Sequence, residues 1–143
     1  MHRDIKPENI LVFHDDEIKF KICDFGLAIR NHDFASETIA GTYQYASPKL
    51  KYKFKNKSIK CYGNTFKDDV FSLGITVMEM CLLQPCKDIC GGLKRIEKEY
   101  GYELCKIISK MVNPSEVKRI DFKGIMKEYV NEKEEKITKV QKK

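Results

Sequence analysis

Within its first nine residues the chain carries His2, Arg3, Asp4, Lys6 and Asn9, and Asp24 follows fifteen positions after Asn9, ahead of Phe25 and Gly26. A carboxylate such as Asp4 can orient a hydroxyl or accept its proton. Asn9 adds an amide and Asp24 a second carboxylate. Lys6 stands two residues after Asp4, so in an extended loop both side chains project to the same side, cation beside carboxylate. Taken singly, each residue has a plainer use: Asp4 in a turn, Asn9 as a cap, Asp24 at the end of a hairpin.

These side chains need a scaffold, and the pattern along the chain supplies one. Ile10-Leu11-Val12-Phe13 is a short run of strand formers, Asp15-Asp16 marks a turn, and Ile18-Lys19-Phe20-Lys21-Ile22 alternates apolar and basic residues. This predicts a β-hairpin whose second strand has one wet face. Residues 27–50 keep no period and carry many hydroxyls, which predicts a long functional loop. The stretch 51–60, "KYKFKNKSIK", holds five lysines and is expected to be a solvated loop. Residues 67–83 predict a buried central helix, apolar nearly all round, with Asp68 and Asp69 at the positive end of its dipole. Gln84-Pro85 ends it, and Gly91-Gly92 is expected to be a break. Leu104, Ile107, Ile108, Met111 and Val112 fall at helical spacing up to Asn113-Pro114-Ser115, and Asp121 can cap a last helix through Phe122, Ile125, Met126 and Tyr129. The fold class is mainly α with a small β-hairpin, in one domain over residues 1–130 with a charged tail over 131–143.

The bulk properties narrow the partners. With 143 residues the chain can bury one moderate core. The net charge of +6 suits an acidic or phosphorylated partner, but a basic tail accounts for it equally well. Only Tyr52 and Phe54 interleave with the lysine run, so nucleic acid is not an expected ligand. The six cysteines (Cys23, Cys61, Cys81, Cys86, Cys90 and Cys105) form no CxxC pair and read as free thiols in a reducing compartment, hence a cytoplasmic protein. No apolar run approaches the roughly 20 residues a bilayer span needs, and no membrane association is expected.

His2-Arg3-Asp4-Ile5-Lys6-Pro7-Glu8-Asn9 fits H-R-D-x-x-x-x-N; Asp24-Phe25-Gly26, Gly41-Thr42 and Ser47-Pro48 follow in order. Any one of these is weak, but the ordered set is specific. Over residues 2 to about 130 the chain resembles the eukaryotic protein kinases, in particular the second half, or C-lobe, of the serine/threonine class. The resemblance implies transfer of the γ-phosphate of ATP, with Mg²⁺, to Ser/Thr hydroxyls of a protein substrate. It makes Asp4 the catalytic base, places Lys6 on the transferred phosphate, and gives Asn9 and Asp24 the metal. Thr42 would bond near Asp4 and Lys6 and help choose hydroxyl substrates. Asp69 would accept backbone N–H groups of the catalytic loop. Residues 24–48 resemble an activation segment, with Thr38 as a regulatory phosphosite and Arg3 as the partner of its phosphate.

The departures are equally informative. The segment normally closes Ala-Pro-Glu, and the Glu pairs with a buried Arg that Arg119 matches; here Ser47-Pro48-Lys49 stands instead. Lys49 is expected to oppose Arg119. No Gly-rich loop and no V-A-I-K lysine occurs in the chain, so the nucleotide-gripping N-lobe is expected to be absent; the helix that in the family precedes the catalytic loop and packs on the buried helix is expected to be absent too, leaving an exposed apolar face near Val70–Leu83 for an interaction partner. Three readings stay open: a fragment of a longer kinase, a catalytically inactive binding module, or a lobe completed by a separately encoded N-lobe.

Overall fold

A computed structural model describes residues 1–30, 39–56 and 66–130. Strands β1 (Ile10–His14) and β2 (Ile18–Ile22) form an antiparallel hairpin, and the remaining regular structure is helical: α1 (Pro48–Lys55), α2 (Phe66–Leu82), α3 (Ile89–Tyr100), α4 (Tyr102–Met111) and α5 over 122–130. The described residues are thus mainly helical with one two-stranded sheet.

Helix α2 is the centre of the core. Phe71, Ile75, Met78 and Leu82 pack with Ile96 of α3, with Ile108 of α4 and Val112 just beyond it, and with Tyr45 from the preceding loop. Each such side chain stabilises the fold by about 1.5–3 kcal/mol when taken from water. The exposed apolar face expected near Val70–Leu83 is therefore not there: α3 and α4 fold back over it, and only Met80 and Leu83 stand open at its end. Exposed apolar surface sits on the hairpin instead, at Leu11, Val12, Ile18, Phe20 and Ile22. The expectation of one wet face on β2 is corrected as well: every residue of that strand is exposed.

Two further expectations change for local reasons. Gly91-Gly92 does not break a helix but lies in the first turns of α3, which Asp88 caps by accepting from the N–H groups of Cys90 and Gly91. Gly92 is there for close approach, since a Cβ would sit 2.7 Å from Cε of Met78 and 3.2 Å from Cδ1 of Leu82. The lysine-rich stretch is not a loop throughout: residues 51–55 belong to α1, started by Ser47 as N-cap and Pro48 in the first turn. Residues 57–60 and the tail 131–143 lie outside the described residues. Asp121 does cap the last helix, accepting from Gly124 N at 2.7 Å, and Lys110 of α4 pairs with Glu128 of α5. Among the described residues no helix is long and apolar enough to cross a membrane.

Candidate active site

The loop before the hairpin is hung on α2 by one carboxylate. Asp69 accepts the backbone N–H of His2 at 2.8 Å and of Arg3 at 2.8 Å. Burial raises the pKa of Asp69, and the two backbone donors work against that rise. Arg3 is held in the left-handed region (φ 71), a conformation that costs a non-glycine residue about 1–2 kcal/mol and here turns the next residue inward. That residue is Asp4, which is buried.

Around Asp4 the side chains converge. Thr42 Oγ1 donates to Asp4 Oδ1 at 2.7 Å, and Lys6 Nζ lies 2.9 Å from Oδ2 and 3.1 Å from Thr42 Oγ1. Lys6 is in extended backbone, which puts it on the same side of the loop as Asp4. Burial alone would raise the Asp4 pKa, but the bonds from Lys6 and Thr42 outweigh it and hold the carboxyl below its ordinary value. The same bond to Asp4 raises the Lys6 pKa, against the pull of burial. Asn9 completes the group: its amide nitrogen donates to Asp4 O at 2.9 Å and approaches Asp4 Oδ2 at 3.4 Å. Gly41 permits the closeness of the Thr42 loop. Its φ is +110, and a Cβ there would lie 2.3 Å from the carbonyl oxygen of Arg3.

Asp24 reaches this group through the open end of the hairpin. Cys23 N donates to Asn9 O at 2.9 Å, so Asp24 follows directly on the residue paired with Asn9. Asp24 is also left-handed (φ 60) and accepts Gly26 N on Oδ1 at 3.2 Å. With the Asn9 amide nitrogen committed to Asp4, its oxygen is the side-chain atom left to accept a cation, and the exposed Asp24 carboxylate is a second oxygen donor. That donor set fits Mg²⁺, which takes one or two protein oxygens and fills its other positions with phosphate and water. Among the described residues no group of three His, Cys, Asp or Glu side chains makes a closed metal cage.

Of the remaining expected residues, Thr38 lies outside the described residues, and Arg3 Nε donates to Leu27 O at 2.5 Å. Arg119 is fully buried, but Lys49 does not oppose it. Lys49 Nζ goes to Glu116 Oε2 at 2.8 Å, and Arg119 Nη1 lies 3.4 Å from Asp68 Oδ1. The charge that position 49 lacks is supplied from α2, so Asp68 is no ordinary first-turn acid. Sequence reasoning gave other side chains no role, though His2 stands in the motif. His2 Nδ1 accepts Asp4 N at 3.3 Å and its Nε2 faces Cys23 O at 3.1 Å, which with Nε2 as the donor buttresses the loop against β2. Glu79 takes Tyr45 Oη at 2.9 Å, Gln44 Nε2 at 2.8 Å and Cys86 N at 2.8 Å. Burial and this carboxylate push the Tyr45 hydroxyl far above its usual range, keeping it a donor. The signal for Glu79 was present: a single acid inside an otherwise apolar stretch of helix requires partners when buried.

Comparison with known proteins bears on the family. A family model described as protein kinase domain matches residues 1–136. "Serine/threonine-protein kinase Nek2" of Homo sapiens is 34% identical over 139 residues, covering 88% of this chain and 29% of that protein. "Probable serine/threonine-protein kinase nek2" of Dictyostelium discoideum is 34% identical over 125 residues, 79% of this chain and 28% of its own length. "Receptor protein-tyrosine kinase CEPR2" of Arabidopsis thaliana is 32% identical over 134 residues, 92% of this chain but 12% of that protein. The chain spans less than a third of the length of each of these relatives.

Proposed function

Because the chain belongs to the protein kinase domain family, we propose that it is the C-lobe portion of a serine/threonine kinase domain, over residues 1–130 with 131–143 as a tail, and that it acts in the cytoplasm on protein hydroxyls. The observation that carries this reading is the Asp4 carboxylate held between Lys6 and Thr42 with Asn9 against it. A carboxyl kept below its ordinary pKa is a poor base toward a resting hydroxyl. Asp4 therefore orients the substrate hydroxyl and takes its proton late, as bond formation to phosphorus makes that proton acidic. Lys6 places one positive charge next to the same point, where charge on the transferred group must be balanced. Asn9 and Asp24 would hold a magnesium ion by oxygen. ATP supplies the phosphoryl group and Mg²⁺ offsets the charge of its phosphates when they are bound.

The serine/threonine class draws support from the Lys6–Thr42 contact, and from the names of the two Nek2 relatives; the CEPR2 name points the other way. Residues that would hold the nucleotide's phosphates, a Gly-rich loop and a V-A-I-K lysine, are not within the 143 residues. We assign them to a preceding N-lobe encoded in the same gene, and an in-frame reading of the sequence upstream of Met1 tests that. The activity is tested on the protein that joins this chain to such a lobe, with γ-labelled ATP, Mg²⁺ and a mixed protein substrate. Asp4→Asn and Asp24→Asn are each expected to lower the rate at least 100-fold, with label on Ser and Thr. Label on Tyr alone overturns the class, and undiminished activity in both variants overturns the site.

A further inference from the structure

We propose that Ser47, Asp68 and Arg119 act as one buried clamp that fixes the end of the segment carrying Thr42, and so sets Thr42 against Asp4. The three residues are 0%, 3% and 1% exposed. Ser47 Oγ donates to Asp68 Oδ1 at 2.6 Å, and the same oxygen faces Arg119 Nη1 at 3.4 Å. Arg119 also donates from Nη1 to Lys67 O at 2.8 Å, from Nε to Asn113 O at 2.9 Å and from Nη2 to Pro114 O at 3.4 Å, with its guanidinium 4.9 Å from the Phe71 ring centre. One cation thus joins the start of α2 to the turn after α4. Ser47 adds a third element, since its hydroxyl also accepts Leu50 N at 3.3 Å in the first turn of α1. A hydroxyl–carboxylate bond shut away from water is far stronger than the same bond at a surface.

The clamp acts at a distance because the chain between has no slack. Residues Tyr43–Tyr45 form a 3-10 turn in which Tyr45 N donates to Thr42 O at 3.1 Å and Ala46 N to Tyr43 O at 3.2 Å. Ser72 Oγ secures the same turn at Tyr45 O, 3.0 Å away. Thr42, at the near end, meets Asp4. Ser47 and Asp68 are therefore positioning residues, and this role holds whether or not the chain transfers phosphate.

Amide hydrogen exchange on the 143-residue chain tests the clamp. Ser47→Ala is expected to speed exchange at Tyr45 and Ala46 about tenfold or more while leaving Val112, whose N–H bonds to Ile108 O at the end of α4, unchanged. In an Asp68→Asn background the same change is expected to add little, because its partner is already altered. Should Asp68→Asn fail to fold, Ser47→Cys serves as the second arm: nearly the same size with a weaker donor, it is expected to give an intermediate rate. Unchanged exchange at Tyr45 and Ala46, uniform acceleration that includes Val112, full additivity with Asp68→Asn, or wild-type rates in Ser47→Cys would each overturn the proposal.

Discussion

Replacing Asp69 with Asn is expected to lower the stability of the chain by about 2–4 kcal/mol. The carboxylate receives two backbone N–H groups, from His2 and Arg3, at 2.8 Å each. An amide of the same shape presents one oxygen and turns an NH₂ group toward the second donor. The lost bond to a charged acceptor is worth about 1.5–3 kcal/mol, and the stranded N–H costs about 1–3 kcal/mol more. Part of this is returned, since burial disfavours the charged form of Asp69 and Asn carries no charge. An acid that merely sat in the first turn of a helix would contribute about 0.3–1 kcal/mol. Urea unfolding at pH 7 separates the two cases. At an m-value of about 2 kcal/mol/M the midpoint should fall by about 1–2 M with m unchanged. An exposed control, Asp15→Asn on the hairpin turn, should stay within about 0.5 kcal/mol. A loss for Asp69→Asn as small as the control's would refute the idea that this carboxylate suspends the loop from α2.

Lys49→Glu reverses sign between sequence and structure: if Lys49 opposed Arg119 the variant would be more stable, but since it pairs with Glu116 at 2.8 Å the variant should melt lower, by about 0.5–1.5 kcal/mol; a higher melting temperature would show that Lys49 does press on Arg119. Asp4 has a depressed pKa in the fold, so its contribution is present above its unfolded value of about 3.8 and is lost as pH falls through the lower folded value. Asp4→Asn should accordingly flatten the acid limb of a plot of stability against pH below about pH 4, and an unaltered limb would count against the Lys6 and Thr42 bonds. Gly92→Val should cost about 1–3 kcal/mol by pushing α3 from Met78 and Leu82, and a neutral thermal melt would mean the two helices are not in close contact there.

Sequence patterns were most legible where one residue's chemistry fixes its neighbours. The hairpin follows from a strand run, an Asp-Asp turn and a period of two, and α2 from its apolar length. The proximity of Asp4, Lys6 and Asn9 follows from short spacing, and that of Asp24 from the hairpin returning the chain to Asn9. What stayed hidden depended on contacts between distant segments. Gly91-Gly92 reads as a breaker because propensity is local, whereas Gly92 lets α3 approach α2. The lysines of α1 read as a loop because like charges repel, but a Ser-Pro start and an apolar anchor at Leu50 outweigh that in an eight-residue helix. Lys49 could be seen to lack a charge that Arg119 needs. That Asp68 supplies it could not, because Asp68 and Asp69 look alike until the helix has a fixed rotation.

Those adjacent acids point in different directions from the same turn of α2. One carries the loop of Asp4, and the other carries the joint to Ser47 and Arg119. The end of this helix is thus a shared pivot: any slide or roll of α2 displaces the loop of Asp4 and the joint at Ser47 together, so the two cannot drift out of alignment independently.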